Sequence, residues 1–292
     1  MAIIGTLIEG KYEILKLIGK GGMSEVYLAM DKNLNKQWAV KEIKKRARDK
    51  NNEVVVQSAI AEANMMKKLD HPCLPRIVDI IDKEDVIYVV MDYIEGEPLN
   101  KVLERDGAQP QETVIEWAEE LCGVLDYLHM QNPPIIYRDM KPANIMLQPN
   151  GNIKLIDFGI AREYKEHNLE DTVSLGTKGY AAPEVRGTEE RYDYTAGIYS
   201  FGIMLYVLAN HLKFPDSNTY SANPRIQYMP GYVLPEPEGD ISKELYDIIA
   251  RACRYNPDDR YQSIEEMLLD IETLIYGENF GFKKEYKRVY MV

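Results

Sequence analysis

Two short segments of the sequence concentrate the residue types that phosphoryl transfer requires. Residues 137–144, which read YRDMKPAN, place Asp139, Lys141 and Asn144 within six residues of one another. Residues 152–159, which read NIKLIDFG, add a second carboxylate. Phosphoryl transfer needs a carboxylate that orients the nucleophile, cations that spread the charge of the transition state, and oxygen ligands for Mg²⁺. The two segments together supply all of these groups.

Turn formation is the alternative explanation for Asp139, Asn144 and Asp157, because aspartate and asparagine favour turns without any chemical role. Each of these residues alone would therefore carry little weight. Their joint spacing, with a lysine between the first two, favours the chemical interpretation.

A glycine-rich segment lies between two predicted strands near the start of the chain. Its residues are Gly19, Lys20, Gly21, Gly22, Met23 and Ser24. A loop that lacks Cβ atoms can bring its backbone close to phosphate groups. An ordinary hairpin turn would have a similar composition, so this segment gains weight only together with the others.

Lys41 is a second group that could bind phosphate, because apolar residues precede it in the predicted strand WAVK. Its ammonium could pair with ATP phosphates and with a carboxylate on a facing helix. Glu62, in a predicted helix over residues 55–69, is the natural candidate for that carboxylate. A solvated lysine at the edge of a sheet is the alternative.

The elements that must position these groups fall into two parts. The first part is β-rich, with one helix at 55–69 and five predicted strands at 11–19, 24–31, 36–43, 76–81 and 86–93. The second part is mainly helical, with apolar periodicity over 111–130, 198–210, 243–255 and 263–276. We therefore expect a small N-terminal lobe over 1–95, a larger C-terminal lobe over 96–276 and a tail over 277–292.

Composition excludes several classes of protein. The 292 residues, 45% of them hydrophobic, are enough to bury a substantial core. The net charge of −12 disfavours nucleic acid as a partner. Three widely separated cysteines suggest buried thiols in a reducing compartment. No signal peptide is evident, and the apolar stretch over 198–209 is too short to span a bilayer.

Taken together, these motifs resemble the eukaryotic-like (Hanks-type) protein kinases, and most closely their bacterial serine/threonine members, from about residue 11 to residue 273. The resemblance implies an α+β, bilobal protein kinase fold with a five-stranded antiparallel sheet and one helix in the small lobe. It also implies transfer of the γ-phosphate of ATP to serine or threonine hydroxyls of protein substrates. Magnesium is the expected metal, and manganese could replace it.

The resemblance assigns nucleotide-binding roles in the first lobe. Residues 19–26 correspond to the glycine-rich lid, with Ser24 in place of the family's third glycine. Lys41 and Glu62 correspond to the ion pair that positions ATP. The remaining assignments are the gatekeeper Met91, the hinge residues Asp92, Tyr93 and Ile94, and Val26 and Ala39 over the adenine.

It assigns the chemistry to the second lobe. Asp139 is the expected catalytic aspartate, Lys141 the lysine on the γ-phosphate, and Asn144 and Asp157 the metal ligands. Lysine two residues after the aspartate, and the segments GTKGY and APE over 176–184, are typical of serine/threonine kinases. Structural roles are expected for Tyr137 with Phe158, and for an ion pair between Glu184 and Arg260.

A charged segment between Asp157 and Glu184 carries the expected regulatory sites. Thr172 and Ser174 lie where bacterial relatives autophosphorylate, and Arg138 and Arg162 could bind the phosphate through charge-assisted hydrogen bonds. Ordinary loop residues are the alternative.

Gly197 departs from the family pattern, because an aspartate usually stands at this place and accepts hydrogen bonds from the backbone of the catalytic loop. Each donor left unsatisfied would cost on the order of 1–3 kcal/mol. A tolerated change with a bound water, a variant, and a chain drifting toward weak catalysis all remain open.

Two alternative functions follow. The first is a weakly active kinase or a pseudokinase scaffold, which Gly197 keeps open. The second is a small-molecule kinase of related fold, which the intact activation segment disfavours.

We further expect a cytoplasmic protein, or the cytoplasmic domain of a single-pass membrane protein, that could form a homodimer through its N-terminal lobe.

Overall fold

The computed structural model describes residues 4–20, 24–45, 60–61, 63–156, 162–163, 177, 179–185, 193–210, 213 and 230–277. The chain divides into two compact units. The first comprises Met1–Gly96 with Gln148–Asn150 and Lys154–Gly159, and the second comprises Glu97–Leu147, Gly151–Ile153 and Ile160–Val292.

A six-stranded sheet forms the body of the first unit, in the order β1-β2-β3-β4-β6-β5. Its strands are β1 (Leu7–Ile8), β2 (Tyr12–Lys20), β3 (Ser24–Asp31), β4 (Lys36–Lys44), β5 (Ile77–Asp82) and β6 (Val86–Asp92). Every neighbouring pair is antiparallel. Residues 60–61 and 63–66 are helical, within the helix predicted over 55–69.

The prediction of five strands was one strand short. The extra strand, β1, has only two residues, which pair with Tyr12 and Glu13. Two residues are too few to show the alternation by which a strand is recognised in a sequence. The other five strands begin and end within one residue of their predicted bounds, because their apolar alternation is clear.

Side chains alternate between the two faces of this sheet, and one face forms a core with Ile14, Tyr27, Ala29, Val40 and Val90. Residues at the intervening positions of β3, β4 and β6 therefore face the opposite side. That opposite face carries four of the predicted nucleotide-binding residues.

The second unit is mainly helical, so the predicted α+β class is confirmed. Its helices are α1 (Leu99–Asp106), α2 (Gln111–His129), α3 (Tyr194–Ala209), α4 (Lys243–Ala252) and α5 (Ile264–Tyr276). Helix α1 was not predicted; it is short, and its buried stripe consists of Leu99, Val102 and Leu103.

Helix α3 begins four residues before its predicted start. The reason is an N-cap, because the carboxylate of Asp193 accepts hydrogen bonds from the backbone N–H groups of Thr195 and Ala196. Almost every side chain of this helix is buried. At Gly202, an added Cβ would lie 2.8 Å from Ala252 Cβ and 2.7 Å from Cys253 Sγ, so glycine allows α4 to pack closely.

Short strands hold the loop that contains the first chemical motif. Strand β8 (Ile135–Ile136) precedes residues 137–144 and pairs with β11 (Arg162–Glu163). Strand β9 (Ile145–Leu147) follows them and pairs with β7 (Glu97–Pro98), and β10 (Ile153–Leu155) comes next along the chain. Strand pairing thus fixes both ends of the loop.

Candidate active site

The loop over residues 137–144 is well packed around its polar groups. Tyr137 and Met140 are buried, and Arg138 is only 7% exposed. Pro142 begins a single 3-10 turn that ends at Asn144, whose N–H donates to the carbonyl of Lys141 at 3.0 Å. This turn brings Asp139, Lys141 and Asn144 close together.

The carboxylate of Asp139 is the centre of the arrangement. Its Oδ2 accepts hydrogen bonds from Lys141 Nζ at 2.5 Å and from Asn144 Nδ2 at 2.9 Å. Its Oδ1 accepts a hydrogen bond from the hydroxyl of Thr177 at 2.6 Å. The side chains of Asp139 and Lys141 are 17% and 23% exposed, so a reactant can reach both.

Asn144 also fits the role of a metal ligand. Its Nδ2 donates to both the carboxylate and the backbone carbonyl of Asp139, at 2.9 Å each. The amide nitrogen is thereby committed, and the amide oxygen is the atom left to bind a cation. Amide and carboxylate oxygens are the ligands that hard divalent cations prefer.

Thr177 is a site residue that the sequence did not single out. Besides donating to Asp139, its hydroxyl accepts a hydrogen bond from Lys141 Nζ at 2.8 Å. The segment GTKGY indicated only the class of substrate, although a threonine in it was the available signal. Nearby, burial and the charge of Asp139 both raise the pKa of Tyr180.

Predicted nucleotide-binding residues share one face of the sheet in the first unit. Val26 lies opposite Lys41 between β3 and β4, and Ala39 lies opposite Met91 between β4 and β6. Ala39 and Lys41 are two residues apart, so all four side chains point to the same side. The sheet therefore places the partly buried Lys41 beside apolar side chains.

The ends of the glycine-rich segment continue this sheet. Gly19 pairs with Val26, and Lys20 pairs with Glu25, whose carboxylate lies 3.5 Å from Lys20 Nζ. Ser24 begins β3. Of the predicted hinge, Asp92 ends β6, and Tyr93 and Ile94 follow it with partly buried side chains.

Several predicted site residues lie outside the described part of the chain. They are Gly21, Gly22, Met23, Glu62, Asp157, Phe158, Thr172 and Ser174. The pairing of Lys41 with Glu62, the metal ligand Asp157 and the two phosphorylation sites therefore stay predictions. For Arg162, the structure describes only the backbone, in β11.

Arg260 and Glu184 form a bidentate ion pair, with N–O distances of 2.7 and 2.9 Å. The remaining N–H groups of Arg260 donate to three backbone carbonyls, those of Thr195, Arg254 and Tyr255. Arg260 is only 1% exposed. A buried guanidinium whose donors are all used fixes the segment around Glu184 to α3 and to the turn before Arg260.

Gly197 lies in the first turns of α3, against the strand that leads into the catalytic loop. Its N–H donates to the carbonyl of Asp193 at 3.2 Å. A Cβ added to Gly197 would meet only Ile136 Cγ2, at 3.8 Å, which is an ordinary contact. Space therefore exists for a Cβ atom beside Ile136, the residue that precedes Tyr137.

Comparison with known proteins agrees with this geometry. Residues 12–270 match the family model described as "Protein kinase domain". A probable serine/threonine-protein kinase of Clostridium perfringens is 32% identical over 93% of this chain and 39% of its own length. The serine/threonine-protein kinases PrkC of Bacillus subtilis and PknB of Mycolicibacterium smegmatis are 30% and 34% identical.

These two matches cover 97% and 93% of this chain, and 43% and 44% of PrkC and PknB. The chain thus spans less than half the length of these relatives. The family match alone covers most of the chain and contains every residue of the catalytic loop. The chain therefore belongs to the protein kinase family.

Proposed function

We propose that this chain is a serine/threonine protein kinase that transfers the γ-phosphate of ATP to serine and threonine hydroxyls of proteins. The observation that carries this proposal is the carboxylate of Asp139, which is bound at once by Lys141, Asn144 and Thr177. A carboxylate, a cation and an oxygen ligand within one network are what phosphoryl transfer needs.

In this proposal, Asp139 orients the attacking hydroxyl and accepts its proton. Lys141 lies 2.5 Å from that carboxylate, so its ammonium can neutralise charge on the phosphoryl group next to the nucleophile. Asn144, through its amide oxygen, and Asp157 would hold Mg²⁺, or Mn²⁺ in its place. The bound metal would supply charge neutralisation for the phosphate oxygens.

Specificity for serine and threonine is supported by Lys141 and Thr177, whose side chains bind each other and Asp139. The relatives described above carry the name serine/threonine-protein kinase, which supports the same choice. The same relatives favour an active enzyme over a pseudokinase scaffold. A small-molecule kinase is disfavoured by the family match and by the ion pair that fixes Glu184.

The experiment compares the parent with Asp139→Asn, using radiolabelled ATP and a generic basic protein substrate. We expect label on phosphoserine and phosphothreonine with the parent, and a loss of at least about a hundredfold with the variant, because the base is gone. Equal rates for both proteins, or label on phosphotyrosine alone, would refute the proposal. Bound ATP without turnover would favour the scaffold.

A homodimer through the first unit belongs to the same proposal. Strand β1 forms an edge of the sheet; Leu7 within it and Ile4 shortly before it are apolar and 47% and 65% exposed. Sedimentation velocity of the parent and of Leu7→Asp tests it; a parent that stays monomeric at high concentration would refute it.

Among the helices that the structure describes, none is long and apolar enough to cross a membrane.

A further inference from the structure

Arg76 and Asp92, both in the first unit, are joined by four hydrogen bonds. The backbone N–H of Asp92 donates to the carbonyl of Arg76 at 3.0 Å. The backbone N–H of Arg76 donates to Asp92 Oδ2 at 3.1 Å. The guanidinium adds two bonds, from Nε to Oδ2 at 2.9 Å and from Nη2 to Oδ1 at 3.4 Å. Arg76 therefore holds Asp92 by its backbone and by its side chain.

The sheet explains why these residues meet. Ile77, the first residue of β5, pairs with Met91, and because the strands are antiparallel the next two residues opposite each other are Arg76 and Asp92. The register between β5 and β6 shifts after Ile77, so the regular ladder is interrupted there. The bonds between Arg76 and Asp92 extend the pairing by one residue, to the point where β6 ends.

Lys36 approaches the same carboxylate from β4. Its Nζ lies 3.5 Å from Asp92 Oδ1 and 3.9 Å from the centre of the Trp38 ring, and Trp38 is the cross-strand partner of Asp92. Burial acts to raise the pKa of Asp92, but the hydrogen bonds from Arg76 and the charges of Arg76 and Lys36 together outweigh it and hold that pKa below its usual value. Asp92 is therefore ionised at neutral pH, as its ion pairs with Arg76 and Lys36 require.

We propose that Arg76 is a positioning residue for the adenine of ATP, acting through Asp92. This inference rests on the proposed function, and on the hinge role that resemblance to the protein kinases assigns to residues 92–94, whose backbone would bind the adenine. Because the N–H of Asp92 is committed to Arg76, only its carbonyl oxygen is left for a base. Arg76 binds both carboxylate oxygens of Asp92 and accepts a hydrogen bond from its N–H. These contacts set the direction of the Asp92 carbonyl before a nucleotide arrives, which favours binding.

The test measures ATP binding and steady-state kinetics for Arg76→Met and Arg76→Lys. Arg76→Met keeps the stem of the side chain and removes the charge and both guanidinium bonds. We expect the Kd of ATP by calorimetry and the KM for ATP to rise about three- to tenfold together, with kcat within about twofold of the parent. Arg76→Lys keeps the charge but not the forked guanidinium, so its Kd and KM for ATP should lie between those of the parent and of Arg76→Met.

Lys83→Met is the matched control, because Lys83 forms an ion pair at 2.7 Å with Glu9 in the same unit. It should leave Kd and KM at parental values. Asp92→Asn should weaken ATP binding as well, and the double variant with Arg76→Met should be no worse than the more damaging single change, since the two act through one contact.

A lower melting temperature with unchanged Kd and KM in Arg76→Met would show a structural role only and overturn the inference. If Arg76→Met does not fold, the Kd of Arg76→Lys decides. A parent that binds no ATP would overturn the proposed function along with this inference, whereas a parent that binds ATP as tightly as its variants overturns the inference alone.

Discussion

The hydroxyl of Thr177 donates a 2.6 Å hydrogen bond to Asp139 and accepts a 2.8 Å hydrogen bond from Lys141. Thr177 therefore joins the segment before Glu184 to the catalytic loop, although 38 residues separate it from Asp139. A single hydroxyl serves as donor to the Asp139 carboxylate and as acceptor for the Lys141 ammonium. This dual role is chemically specific, since a methyl group of the same size can do neither.

Replacing Thr177 tests this link. We expect Thr177→Val to lower kcat by roughly ten- to a hundredfold, because hydrogen bonds to charged groups contribute about 1.5–3 kcal/mol, while Thr177→Ser keeps most of the rate. Thr273→Val is the control, because Thr273 is exposed and its hydroxyl donates to the carbonyl of Leu269 within the same helix. Equal rates for the Val and Ser variants would show that the hydroxyl is not needed.

The Thr177 contact also shows what the sequence could and could not predict. Strands β3 and β4 were predicted almost residue for residue because apolar alternation is a local signal. The catalytic loop was recognised because its chemical groups lie close together in the chain. Thr177 and Arg76 were missed as site residues because their partners lie 36–38 and 16 residues away, and no local pattern encodes such contacts.

Loss of the Arg260 side chain should destabilise the second unit. Arg260→Met leaves the Glu184 carboxylate and three carbonyls without their donor, and breaking a buried pair in this way costs about 3–5 kcal/mol. We expect a melting temperature lower by roughly 10 °C. Arg105→Met, which removes an exposed arginine, should change it by under about 2 °C. A small shift for both would mean that the segment around Glu184 is held by other contacts.

The buried His129 should make the protein less stable in mild acid. Burial lowers its pKa to about 4, and its ring packs edge-on at 4.7 Å against Tyr194. In the unfolded chain the pKa is about 6.5, so between pH 6.5 and 4 only the unfolded state binds this proton. The free energy of unfolding should therefore decrease as the pH is lowered across that window, by about 3 kcal/mol in total.

Denaturant unfolding of the parent and of His129→Leu between pH 7 and 4.5 measures this loss. The variant should show a clearly shallower decline. His71, whose pKa burial and Lys154 also lower, accounts for part of the remaining slope. Parallel pH curves for the two proteins would contradict the assignment to His129.

Autophosphorylation should occur on Thr172 when the parent is incubated with MgATP. Arginine clusters bind phosphate through charge-assisted hydrogen bonds, and Arg138 lies next to Asp139 in the sequence. Phosphopeptide mapping by mass spectrometry checks the site, with Asp139→Asn as the control that should remain unmodified. Phosphate on neither Thr172 nor Ser174 would sink this prediction.

Gly197 offers a gain of function. A Cβ there would lie 3.8 Å from Ile136 Cγ2, an ordinary contact, so a side chain can start from this position beside the strand that leads into the catalytic loop. We expect Gly197→Asp to raise both the kinase rate and the melting temperature, the rate by about three- to tenfold if its carboxylate accepts one hydrogen bond from the loop backbone. A negative charge near the start of α3 also suits the helix dipole.

Gly197→Ala separates the two effects. Alanine fills the same space and stabilises a helix by about 0.5–1 kcal/mol relative to glycine, but it offers no acceptor. It should therefore raise the melting temperature slightly and leave the rate unchanged. If the Asp variant also leaves the rate at the parental value, the backbone donors of the loop already have acceptors, and Gly197 is a compensated difference from the family rather than a limit on catalysis.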